Sequence, residues 1–209
     1  KMHVNDWLVQ EGYLVLKEGT QSCEMLAMQT DAHGEPVAGS GPVDWAKSRA
    51  YAIGFNGIIL NRADREPFGS VQDAAADALL EEIRGKLLAL QDADGTPVFT
   101  RVLKASEAFS GDQTPFAPDL QLGFNAGYGA SDECAIGGVL GSLQNGACVV
   151  DNDSRWSGSH LMDPELVRGT LLVRRKVALA KDPALEDITA TLYARFGVEP
   201  PAGLDGKPL

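Results

Sequence analysis

Ala76, Leu80, Ile83, Leu87 and Leu90 recur at steps of four and three residues. That is the period of an α-helix with one apolar face. Ser70 and Asp73 stand just ahead in the Ser-x-x-Asp spacing of a capping box, so the pattern predicts a helix running to about Leu90. A helix with a single apolar stripe has to bury it against another layer. The surrounding sequence offers one. Residues 49–61 read as two short strands around Gly54 and Gly57, and Ile58-Ile59-Leu60 is an unbroken apolar run that suits a strand covered on both faces. Residues 97–103 and 118–124 read as further strands, with Asp94-Gly95 as a turn.

The rest of the chain interleaves the same two kinds of element. Residues 4–11 read as a short helix with Val4, Trp7 and Leu8 on its apolar side and Gly12 as its stop. Residues 13–16, 147–150 and 169–173 are predicted as short strands. Asp182-Pro183 has the form of an N-cap followed by proline at the first helical position. The helix it opens carries Ile188, Leu192 and Phe196 on one face and ends at Gly197. This alternation favours an α/β layer architecture over residues 1–209 as one domain. Residues 17–44 hold six of the turn-forming Gly and Pro residues and read as a flap, since connections beyond about 12–15 residues are usually functional.

Composition excludes several classes. With 18 Lys+Arg against 29 Asp+Glu, the net charge is −11, which argues against binding a nucleic-acid backbone or an anionic membrane surface. Hydrophobic residues make up 44% of the chain, enough for a core and too many for a disordered polymer. No uncharged apolar run reaches the ~18 residues of a membrane helix. Cys23, Cys134 and Cys148 are too widely spaced for a CxxC metal site and odd in number for a disulfide framework. Three thiols suit a reducing, cytoplasmic compartment. No signal peptide is visible, but the chain opens Lys1-Met2-His3, so its true beginning is expected to lie upstream.

Chemistry-bearing residues are few. His3 is expected to be exposed, and His33 sits in a turn, Asp31-Ala32-His33-Gly34. His160 follows the small segment Ser157-Gly158-Ser159, and Asp151, Asp153 and Asp163 lie close by in sequence. A neutral imidazole is a common metal ligand, and outer carboxylates often orient it. These three aspartates are therefore candidate orienting partners, or else the more common solvated acids or turn residues. The Ser-Gly-Ser segment lacks a G-x-S-x-G elbow, and residues 123–141 contain neither a P-loop nor a G-x-G-x-x-G fingerprint. The flap and the glycine-rich loop 125–141 are candidate pocket walls, or else ordinary surface loops.

Several stretches, in the same order, resemble type I phosphodiesterase/nucleotide pyrophosphatases of the alkaline phosphatase superfamily. They are Val4-Asn5-Asp6-Trp7-Leu8 to Leu16-Lys17, WAKSRAYAIGFNGIILN at 45–61, PDLQLGFNAGYGAS at 118–131, DNDSRWSGSHLMDP at 151–164, and the closing helix with Asp205-Gly206-Lys207-Pro208-Leu209. The resemblance implies the C-terminal part of an alkaline phosphatase-like three-layer α/β/α fold, a mixed sheet flanked by helices. It implies two divalent metal ions, zinc or similar, and a Thr or Ser nucleophile that forms a phospho-enzyme from a phosphate mono- or diester. His160 matches the family's metal-ligand histidine of the Gly-x-His segment. The family's nucleophile and its Asp-His-Gly ligand pair have no counterpart here, and Asp31-Ala32-His33-Gly34 comes too late to replace them.

A catalytic zinc needs about three protein ligands. The expectation is thus a fragment of a phosphohydrolase, inactive alone, with no catalytic nucleophile in these residues and an incomplete metal site. Its apolar sheet edge or face, stripped of the upstream half, would favour self-association. The alternatives are a stand-alone ligand-binding or interaction module, and a phosphomutase of the same superfamily.

Overall fold

Four strands pair antiparallel in the order β1-β2-β4-β3 in this computed structural model. They are β1 (Ala50–Ala52), β2 (Gly57–Leu60), β3 (Phe99–Lys104) and β4 (Leu120–Phe124). The structure describes residues 1–26, 29–35, 37, 39–141, 147–155, 160–174 and 183–209. They fall into two compact units, residues 1–168 and 169–209. The sheet belongs to the first.

Ala50 faces Leu60 across β1–β2, Ile58 faces Leu120 across β2–β4, and Phe99 faces Phe124 across β3–β4. Ile58 and Leu60 share one face of β2 and are fully covered, whereas Ile59 on the other face is half-buried, so the strand expected to be covered on both faces is fully covered on one. The sheet was expected to be mixed; the described pairs are antiparallel throughout. The cause is local. A turn of four residues joins β1 to β2, too short for a parallel crossover. Between β3 and β4 the chain makes one short helix, α3 (Ala105–Ala108), and a 3₁₀ turn at Thr114–Phe116, then returns beside β3.

The stripe helix is α2, Asp73–Leu88. Ala76, Leu79, Leu80, Ile83 and Leu87 are buried in the core, and the helix packs on β3. Burying each of its Leu and Ile side chains contributes roughly 1.5–3 kcal/mol. The capping box does not form. Gln72 is the N-cap, the Ser70 hydroxyl donates to Ser48 O at 2.5 Å, and Asp73 accepts from the Arg62 guanidinium at 2.5 Å. Leu90 lies past the helix end and packs on the core from there.

Helix α1 (Val4–Gln10) buries Val4, Trp7 and Leu8 as expected, and Asn5 and Asp6 as well. The Asn5 amide donates to Ala52 O and accepts from Ala52 N–H, both at 2.8 Å. It stands in for a neighbouring strand along the free edge of β1. Two predicted strands of this unit shrink to isolated bridges. Leu16 bridges Val43, and Val149 bridges Met2. The described residues of the flap form turns, closed at the base by the Leu16–Val43 bridge and by the Lys17 ammonium, which donates to Gly39 O and Gly41 O.

In the second unit, α5 spans Leu185–Phe196 and stops at Gly197 in the left-handed conformation, φ +64°. Pro183 precedes the helix rather than opening it; Asp182 lies outside the described residues. Asp187 accepts from the N–H of Ala184 and of Lys207, and Leu209 N–H donates to the Thr191 hydroxyl, so the tail is tied along α5. Of the expected apolar face, Leu192 and Phe196 are exposed. Residues 169–173 form no strand. Among the described residues no helix is long and apolar enough to cross a membrane.

Candidate functional site

Strand β4 ends at Phe124, and the glycine-rich loop that follows builds one wall of a cleft of about 550 Å³. Tyr128, Ser131 and Asp132 line it from this loop and from the start of α4 (Asp132–Ala135). Ser154 and His160 line it from the opposite segment, and Phe55 from the β1–β2 turn. The loop is pinned underneath. Met2 N–H donates to Gly129 O, Ser131 N–H donates to Met2 O, and the Tyr128 hydroxyl donates to Asp92 at 2.9 Å. The flap also contributes to a cavity, a smaller apolar one of about 240 Å³ where Met25 and Leu26 meet Trp45, Tyr51 and Phe68.

His160 is exposed on the wall of the larger cleft. Trp156, Ser157, Gly158 and Ser159, which precede it, lie outside the described residues. The candidate orienting carboxylates are placed differently from one another. Asp151 and Asp153 are exposed, and Asp153 lies 3.6 Å from the Lys1 ammonium. Asp163 is buried, with 1% of its surface exposed. Its carboxylate accepts from Arg101 Nε at 2.7 Å, from Arg101 Nη2, from the Thr100 hydroxyl at 2.5 Å and from Glu165 N–H at 2.9 Å. The Arg101 guanidinium holds that carboxyl well below the usual carboxylate range. Asp163 N–H donates to Phe124 O at 2.9 Å, so this residue also holds its own backbone to the end of β4.

The other histidines lie elsewhere. His33 is exposed in a turn where Asp31 accepts the N–H of both His33 and Glu35. His3, expected to be exposed, is 4% exposed, and its Nδ1 has no hydrogen-bond partner among the described residues. Burial pushes its pKa down, partly countered by Asp6 and Glu133. It is covered because residues 1–3 are not a loose end: Met2 bridges Ala130 and Val149, and His3 N–H donates to Cys148 O. Cys134 is likewise buried, with its thiol pushed up to about 12, which leaves it protonated and unreactive.

Reading the sequence missed Arg101, Thr100 and Asn56. Asn56 donates to Leu161 O at 2.8 Å from the β1–β2 turn. Nothing in the local pattern marks these residues, because their partners are 62, 63 and 105 residues away.

Among the described residues, no three His, Cys, Asp or Glu side chains stand close enough to hold an ion. His160 offers one imidazole, whereas a catalytic zinc takes about three protein ligands. Comparison of the chain with protein-family models, with curated proteins and with solved structures returns no match.

Proposed function

We propose that this chain is the histidine-bearing portion of a metal-dependent phosphohydrolase acting on phosphate mono- or diesters. On this reading residues 1–209 are the C-terminal part of an alkaline phosphatase-like α/β/α fold. The nucleophile and the remaining metal ligands come from residues outside this sequence. The observation that carries the proposal is the position of His160. The one histidine that matches the family's Gly-x-His segment is exposed on the wall of a wide, partly polar cleft beside Tyr128, Ser131 and Asp132. The ordered run of resembling stretches, from Val4 to Leu209, supports it from the sequence side.

The test is hydrolysis of p-nitrophenyl phosphate and bis-p-nitrophenyl phosphate, with zinc or manganese, by the product of the gene's full reading frame. Losing an outer-shell partner of a metal ligand costs about 10–100-fold, so His160→Ala, which removes the ligand, should cost at least about 100-fold. Full activity in His160→Ala overturns the proposal. Metal-dependent turnover by the 209-residue chain itself overturns the placement of the nucleophile outside it.

A further inference from the structure

On the proposed function His160 has to be held still to act. It sits one residue before Leu161 and three before Asp163. Both of those residues are fixed. Leu161 O accepts from the Asn56 side chain at 2.8 Å, and Asn56 also donates to Leu122 O at 2.9 Å, which ties the segment to β4. Asp163 is gripped from β3 by Arg101 and Thr100 while its N–H bonds to Phe124 O. A two-pronged guanidinium on a carboxylate fixes orientation as well as distance. The carboxylate fits there only because residue 123 has no side chain. A Cβ on Gly123 would lie 2.8 Å from Asp163 Oδ2 and 3.1 Å from Arg101 O.

We infer that Arg101, acting through Asp163, is the positioning residue for His160. The carboxylate that the sequence suggested as a direct partner of the imidazole works one step removed. It accepts four hydrogen bonds from Arg101, Thr100 and Glu165, and so converts the rigidity of β3 into a fixed entry to the His160 segment. The inference takes from the proposed function only that His160 is the working side chain of this cleft.

The experiment is nuclear magnetic resonance on the isotopically labelled chain, with the His160 imidazole assigned by comparison with His160→Gln. Two signals are read: the His160 imidazole resonances, and hydrogen exchange of the Asp163 amide. The Ala52 amide, which donates to Asn5 at the opposite edge of the sheet, is the control for general loosening. In Arg101→Gln the imidazole resonances should shift or split, and the Asp163 amide should exchange at least about tenfold faster, with Ala52 unchanged. Arg101→Lys, which keeps the charge, should restore the resonances in part. Thr100→Val removes one hydroxyl bond without stranding a charge, so it serves if Arg101→Gln does not fold, and it should move the same signals by less. Unaltered imidazole resonances in a folded Arg101→Gln, or in Thr100→Val in its place, overturn the inference. The readout needs no turnover, so failure of the hydrolysis assay is seen separately from failure of this one.

Discussion

Replacing Asn5 by alanine should be among the most damaging single changes outside the apolar core. Asn5 is fully buried, and its amide makes a reciprocal pair of 2.8 Å hydrogen bonds with the N–H and C=O of Ala52, itself fully buried. A third, longer bond reaches Gly138 O at 3.3 Å. Truncation leaves two buried backbone groups of β1 without partners. Each costs about 1–3 kcal/mol when stranded. Taking the middle of that range for both, and nothing for the longer bond, the loss is about 4 kcal/mol, a large share of the ~5–15 kcal/mol that holds a domain together. Urea unfolding, followed by tryptophan emission, measures it as a shift in midpoint. Asn5→Asp sharpens the reading, because it preserves the acceptor for Ala52 N–H but sets a carboxylate oxygen against Ala52 O. It should be destabilised at neutral pH and recover as the carboxyl is protonated in acid. A loss below about 1 kcal/mol in Asn5→Ala would show that water satisfies β1 equally well, and the strand-mimic account would fail.

Two further predictions concern the Asp163 cluster. Asp163 is ionised more readily in the folded chain than in the unfolded one, because Arg101 and Thr100 bond its anionic form. Its contribution is therefore complete above the ordinary carboxylate pKa of about 4 and is lost as pH falls below that. Urea midpoints measured from pH 7 to pH 2 should show an acid limb that is shallower in Asp163→Asn; equal limbs would contradict the assignment. Gly123→Ala should lower stability by about 1–3 kcal/mol through overpacking against Asp163 and Arg101, seen as a drop in Tm. An unchanged Tm would mean that the carboxylate can step aside.

What the sequence made legible was periodic. The steps of α2, the apolar run of β2 and the strands at 97–103 and 118–124 all lead to real elements, since each follows from a repeating pattern of one local segment. Residues 13–16 show how an apolar run misleads. Tyr13 and Leu14 are core residues, but their N–H groups both bond Leu8 O, and Val15 N–H bonds the Ser48 hydroxyl. Their backbone donors are committed to a helix end and a side chain, leaving no ladder for a strand. The capping box failed by the same kind of competition. Ser48 O and the Arg62 guanidinium, both brought in by the fold, took the Ser70 hydroxyl and the Asp73 carboxylate. In residues 169–173 the run is again apolar, yet Leu172 is 89% exposed and no strand forms.

The site divides along the same line. His160 stood out because a histidine after Ser-Gly-Ser is unusual in a chain with only three histidines, and that signal is local. The roles of the three neighbouring aspartates could not be separated in this way. Asp151, Asp153 and Asp163 all lie within nine residues of His160 in sequence, and it is burial that sets Asp163 apart. Burial of Asp163 depends in turn on a missing side chain at Gly123 and a guanidinium at Arg101, on two different strands. A buried carboxylate without such a partner would be driven to its neutral form. Arg101 on β3, beside a glycine on β4 whose missing side chain leaves room for the carboxylate, is what allows an acid three residues from His160 to be buried and remain charged.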